Sequence, residues 1–254
     1  MNASLAKIYR YPVKGLSADP LTEVVLEPGE SLPEDRRFAI THGASNFDPH
    51  MPSWLPKHNF LMLSRNERLA ALETQYDPAT GTLTIRRNGR QVARGRITTP
   101  TGRMLIDEFF AAYMKGQGPG GMPHLVEAPG HSFSDTREKL VSIVGTASVQ
   151  DLERVVHVPV DPRRFRANLL IEGLEPWAEQ KWIGRSIRIG VARLEISEPI
   201  SRCAATNVDP DTGVRDLNLP QALMRGYGHD HCGVYARVVD SGRIALGDSV
   251  AVLD

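Results

Sequence analysis

Between Gly116 and Pro123 the chain reads Gly-Gln-Gly-Pro-Gly-Gly-Met-Pro. No helix or strand continues through such a run, because glycine makes order entropically costly and proline removes a backbone donor. It divides the 254 residues into an N-terminal part, 1–115, and a C-terminal part, 124–254. On both sides of the break, apolar residues come in short alternating runs separated by turn signals, the pattern of strands rather than long helices. Strands are expected at 4–12, 21–27, 36–41, several within 59–98, then 124–128, 140–144, 186–197, 234–239 and 249–253. Helical spacing is confined to a segment starting near Thr101, a brief one before Leu152 capped by Thr146 or Ser148, one between Trp177 and Trp182, and 217–225. The expected fold is mainly β with some α (α+β): a C-terminal β-barrel preceded by a smaller β-rich domain.

Charge is balanced, with 30 basic and 30 acidic residues, so no bulk field argues for nucleic acid or a membrane surface. Two cysteines are too few for a disulfide framework or a four-thiolate iron–sulfur cluster. The first ten residues read as neither signal peptide nor anchor, and a soluble cytoplasmic protein is expected.

Chemistry concentrates where Glu198-Pro-Ile-Ser-Arg-Cys203 meets the turn Asp209-Pro-Asp-Thr-Gly213. There a strand ends, and Cys203 follows Arg202, a cation suited to holding a thiolate. Tyr11-Pro-Val-Lys-Gly15 delivers Lys14 onto a turn whose N–H groups suit an anion, with glycine allowing close approach. At the next strand, Arg36 and Arg37 are neighbours, so alternation lets only one of them face a given site. Arg166 and Asn168, two apart, are expected on one face of an apolar strand, where they are costly unless they bind something. Phe133-Ser-Asp-Thr136 adds polar groups, and residues 43–58 form a long irregular loop around Trp54. Two other uses of the cysteines are weaker: Cys203 as a hydrolase nucleophile with His229 or His231 as base, and zinc held by His229, His231 and Cys232.

The order of Tyr11-Pro-Val-Lys14, Asp35-Arg-Arg-Phe38, Phe133-Ser-Asp-Thr136, Phe165-Arg-Ala-Asn168 and Ser201-Arg-Cys203 resembles the MOSC family. The likeness is to its members with an N-terminal MOSC β-barrel domain, which include the mitochondrial amidoxime-reducing component. That resemblance implies a pterin-based molybdenum cofactor with Cys203 as protein ligand to molybdenum. It also implies Lys14, Gly15, Arg36, Thr136, Arg137, Arg166, Asn168, Ser201, Arg202 and Tyr235 around the cofactor. The implied activity is reduction of small N-hydroxylated or N-oxide compounds with electrons from a separate ferredoxin-, flavin- or haem-type protein. The alternative is a non-catalytic carrier of molybdenum cofactor or sulfane sulfur on Cys203. Pyridoxal phosphate is not expected. Gly15 stands where relatives often have serine, Arg137 where a smaller residue is usual, and Pro49–His58 reads as an insertion.

Overall fold

The computed structural model describes residues 3–43, 45–48, 50–51, 53–117, 121–128 and 130–253. The centre of the glycine–proline run, 118–120, and Pro49 and Pro52 of the expected insertion lie outside the described residues.

Eight strands form the main sheet: β1 (Ser4–Arg10), β2 (Asp19–Leu21), β9 (Val141–Gly145), β10 (Leu169–Glu172), β11 (Ser186–Ile189), β12 (Ala192–Ser201), β13 (His231–Asp240) and β15 (Val250–Leu253). Their order is β15-β11-β12-β13-β9-β10-β1-β2. The start of β1 closes the sheet on itself. Leu5 N donates to Asp248 O, Gly247 N to Leu5 O and Val250 N to Ala3 O, all at 2.9 Å, so β1 bonds β10 on one side and the approach to β15 on the other. The β9–β10 pair is parallel and is joined through helix α2 (Thr146–Val156), the crossover that a parallel pair requires.

Period-two alternation fills the barrel: Val141 and Ile143, Leu169 and Ile171, Leu194 and Ile196, then Val234, Ala236 and Val238 all point inward beside Leu5 and Ile8. The ribbon of β3 (Glu23–Leu26) and β14 (Gly242–Ala245) adds Leu26 and Ile244 to this core. A second core forms between the meander β5 (Glu73–Asp77), β6 (Thr82–Arg87), β7 (Arg90–Arg96) and helix α1 (Pro100–Tyr113). Thr99 caps α1, accepting from Gly102 N at 3.2 Å. Gly102 lets α1 touch β7, since a Cβ there would come within 2.1 Å of Arg96 O. The pair β4 (Phe38–Thr41) and β8 (His124–Glu127) adds Phe38, Ile40 and Leu125 to it. A third cluster packs α2 and α3 (Leu219–Tyr227) outside the barrel.

Strands from both sides of the glycine–proline run therefore share sheets: β1 lies in the barrel, and β4 pairs with β8. Three local expectations differ. The cap of α2 is Gly145, and Ser148 instead donates to buried Glu179 at 2.8 Å. β12 runs on to Ser201, past the expected end at 197. Between the two closing strands the chain forms a further strand, β14 at 242–245, paired with β3. Among the described residues, no helix is long and apolar enough to cross a membrane.

Because β1 satisfies two sheet edges, residues 124–254 expressed alone expose the free edges of β10 and β15. We expect that fragment to lack a cooperative thermal transition by circular dichroism. A sharp transition matching the full chain would refute the shared barrel. In the full chain, Leu5→Ala removes a fully buried side chain and should cost about 2–5 kcal/mol in urea titration.

Candidate functional site

The strand β1 ends at Arg10, and Tyr11-Pro12 turns the chain toward β4. The Tyr11 ring, 1% exposed, carries two guanidinium groups: Arg36 at 4.9 Å and Arg166 at 4.2 Å from its centroid. Attraction to the ring face offsets part of the cost of crowding two cations. Both arginines have left-handed backbone, φ 52 and 51, and neither lies on a strand. Arg36 N donates to Tyr11 O at 2.7 Å, and Tyr11 N donates to Asp35 Oδ1 at 2.8 Å. Asp35 Oδ2 also pairs with the Arg36 guanidinium. Arg36 Nη2 reaches Arg166 O at 3.0 Å, and Arg166 Nη1 reaches Leu16 O at 2.7 Å. One locked cluster thus joins the first strand, the Asp35–Arg36 turn and the segment before β10.

This cluster forms one wall of a cleft of about 420 Å³ between the barrel and the second core. Lys14, Arg36, Lys57, Arg164, Arg166 and Arg202 line it, against Asp135 and Glu198 among the described residues. Lys14, 6% exposed, donates to Phe133 O at 2.8 Å and Asp135 Oδ1 at 2.6 Å. Burial lowers its pKa, against the opposing effect of Asp135. Burial works against the Asp135 carboxylate too, but the Lys14 charge and hydrogen bond prevail and hold it at about 2. Burial brings Arg166 down to about 10 and also lowers Arg202. Three donors in the cleft's arginines, Arg164 Nε, Arg166 Nη2 and Arg202 Nη2, are buried with no hydrogen-bond partner among the described residues; Arg164 also pairs with Asp209 and Asp216, whereas Arg166 and Arg202 have no carboxylate partner there. Buried guanidinium N–H groups left open in a cationic cleft are suited to an anion.

Cys203 lies half-buried at the end of β12, where it starts the 3-10 turn Ala204–Asn207. Its carbonyl accepts Thr206 N and Thr206 Oγ1, both at 3.0 Å. Arg215 donates to Ala204 O and Leu63 O, tying the cysteine turn to the N-terminal part. Arg202 turns inward, donating to Cys232 O at 2.7 Å and Phe165 O at 2.8 Å. The Asp209–Gly213 turn forms as expected, with Asp209 Oδ1 accepting from Thr212 N at 2.8 Å and Gly213 at φ 72.

A family model for the MOSC domain matches residues 128–251, and one for the MOSC N-terminal beta barrel domain matches residues 2–118. The chain belongs to the MOSC family. The mitochondrial amidoxime-reducing component 1 of Homo sapiens is 32% identical over 136 residues, covering 48% of this chain and 39% of that protein. A molybdenum cofactor sulfurase of Arabidopsis thaliana is 33% identical over 82 residues, covering 32% of this chain and 10% of that protein. The matches thus span less than half the length of either relative. The solved YUAD protein of Bacillus subtilis covers 99% of this chain and 96% of its own at 13% identity and TM-score 0.47, too slight a likeness to argue from.

In this MOSC chain Lys14, Gly15, Arg36, Thr136, Arg166, Asn168, Ser201, Arg202, Cys203 and Tyr235 all line the one cleft. Arg137 does not; its guanidinium lies 5.2 Å over the Trp54 ring. Gly15 has φ +83, and a Cβ there would come 3.0 Å from Leu61 O, so serine would be strained and crowded. Asn168, 1% exposed, spends its carbonyl on Ser142 N and Oγ and donates to Tyr9 O, which makes it a brace between strands. Strand alternation was the wrong reason for pairing Arg166 with Asn168, because β10 begins only at Leu169. It was also the wrong reason for separating Arg36 from Arg37, although Arg37 does turn away to Glu34 and Glu127. Three cleft residues carry no signal of their own in the sequence: Asp135 lies within the polar run 133–136, Arg164 two residues before Arg166, and Lys57 in a loop without periodicity. His229 and His231 are outside the cleft lining, stacked on each other at 5.2 Å, so neither is placed as a base for Cys203. Among the described residues no three metal-ligating side chains cluster, which removes the zinc reading.

Burial pushes the Cys232 thiol up to about 12, so a disulfide-exchange reagent at about pH 8 should titrate one thiol in native protein and two in denaturant. Two native thiols would contradict the burial of Cys232. For Asp135 the depressed pKa means stability that is present above about pH 4 and lost as pH falls through about 2. The stability gap between wild type and Asp135→Asn should therefore shrink between about pH 4 and 2 in urea titrations, and a constant gap would refute the Lys14 pairing.

Proposed function

We propose that the cleft holds a pterin-based molybdenum cofactor, with Cys203 as the protein ligand to molybdenum. We further propose that the protein is an oxidoreductase acting on N-oxygenated small molecules. The observation that carries this reading is the pair of open, buried guanidinium donors, Arg166 Nη2 and Arg202 Nη2, in a cationic cleft beside a half-buried cysteine. An anionic, phosphate-bearing group answers those donors. A soft sulfur ligand suits a metal of dithiolene chemistry. The 32% identity to an amidoxime-reducing component and the 33% identity to a molybdenum cofactor sulfurase support the same cofactor.

When bound, the cofactor supplies oxygen-atom and electron transfer. The chain's own residues bind and orient. Lys14, Arg36 and Arg166 present positive charge along the wall built on Tyr11, and the Gly15 N–H lies on the same rim. Arg202 braces the cysteine turn from beneath through Cys232 O and Phe165 O. The open side of the cleft, lined by Ser134, Thr136 and Lys57, admits a small molecule. These 254 residues hold too few cysteines for a four-thiolate cluster, and the proposed source of reducing equivalents is a ferredoxin-, flavin- or haem-type protein.

The test is metal and pterin analysis of protein made in a cofactor-competent host. We expect about one molybdenum and one pterin per chain. Cys203→Ser should lose reduction of benzamidoxime by an artificial electron donor. Arg166→Ala should weaken pterin retention about tenfold or more by deleting a charge-assisted donor. Protein free of both metal and pterin would overturn the reading. Full loading without turnover would leave the cofactor site standing and make the protein a carrier.

A further inference from the structure

Residues 54–60 are fastened to the segment that carries Asp135. Trp54 Nε1 donates to Ser134 O at 3.3 Å, and the Phe60 ring packs edge-on against Phe133 at 4.9 Å. Asn59, 4% exposed, braces the turn by donating to Pro56 O at 3.1 Å and accepting from Asn46 N at 3.2 Å. Lys57 opens the 3-10 turn Lys57–Asn59 and so projects into the cleft from a fixed base. Its Nζ lies 3.8 Å from Asp135 Oδ2, while Lys14 holds Oδ1 at 2.6 Å. One carboxylate thus faces two ammonium groups. Lys14 takes the short bond and its side chain is 8% exposed, whereas the Lys57 side chain is 41% exposed and too far for a direct hydrogen bond to Asp135. A solvated lysine on a loop is ordinarily neutral in its consequences. This one is rigidly based, short of countercharge among the described residues and on the same cleft as Cys203. The other carboxylate lining the cleft, Glu198, is exposed on β12.

We propose that Lys57 makes this cleft selective for anionic substrates, those bearing a carboxylate or comparable oxyanion within reach of the Cys203 sulfur. The substrate class deepens the oxidoreductase reading and rests on it; the anion preference of the cleft does not. A partly exposed ammonium attracts a unit charge arriving at a few ångströms and repels a second cation. The preference weakens as salt screens it.

The experiment has two arms. In cofactor-free protein, Cys203 is alkylated by iodoacetate and by iodoacetamide, with site occupancy read by peptide mass and Cys203→Ser as the blank. Both reagents consume the thiolate and release iodide, so the rate ratio cancels thiolate abundance and reports local charge. We expect the wild-type ratio to favour iodoacetate about five- to tenfold over that of a free model thiol. Lys57→Gln should bring it back to the model value, with an unchanged melting temperature showing that the fold is intact. In cofactor-loaded protein, the kcat/KM ratio of 4-carboxybenzamidoxime to benzamidoxime should fall by a similar factor in Lys57→Gln. A wild-type alkylation ratio equal to the model thiol, or one unmoved by Lys57→Gln, overturns the proposal. Loss of pterin in Lys57→Gln also overturns it, because the charge would then serve the cofactor. If neither amidoxime is reduced while the alkylation ratio shifts as expected, the oxidoreductase reading and its substrate class fail and the anion-selective cleft stands.

Discussion

A strand with two hydrogen-bonding edges must have both of them satisfied, and β1 meets that demand twice over. Its first residues bond the approach to β15, its length bonds β10, and its end bonds β2. The barrel closes only because this N-terminal strand is in place. Its exit then determines where the site is built. Tyr11 follows at once, and Pro12-Val-Lys14 crosses from the barrel to the second core, with Lys14 N bonding Phe38 O at 2.8 Å. The lysine therefore arrives at the seam between the two cores.

Along that seam positive charge accumulates beyond what the described carboxylates there neutralise. Asp35 answers Arg36, Asp135 answers Lys14, and Asp209 and Asp216 answer Arg164. Among the described residues, Arg166 and Arg202 find hydrogen bonds only to backbone carbonyls, with a donor left over on each. The Tyr11 ring face and the surrounding carbonyls make the crowding tolerable. An anionic ligand would complete it, which is why the cationic seam and the cysteine are best understood together.

Much of this was legible beforehand. Strand runs and turn signals placed nearly every element, because pleated alternation and the φ demands of proline and glycine are local properties. The helix at 100–113 lies where helical spacing places it, and the turn at 209–213 where its turn residues do. The site residues were legible too, but partly for the wrong reason. Arg36 and Arg166 reach the cleft from left-handed turns rather than as alternating strand residues. Lys57 carried no signal at all. Its place depends on Trp54 and Phe60 meeting the 133–134 segment, contacts between positions more than seventy residues apart.

The sequence by itself determined the β-rich class and most of the polar residues that face the cleft, since each rests on short-range chemistry. Only the tertiary structure decided that β1 closes a barrel formed mainly by strands beyond residue 140, because strand partners are chosen by long-range edge pairing. It also decided that Arg202 turns inward beneath Cys203 and that Lys57 stands in the cleft mouth. Where a long cationic side chain ends is settled by which carbonyls, carboxylates and rings the fold brings within a few ångströms of it, and spacing along a chain does not encode that.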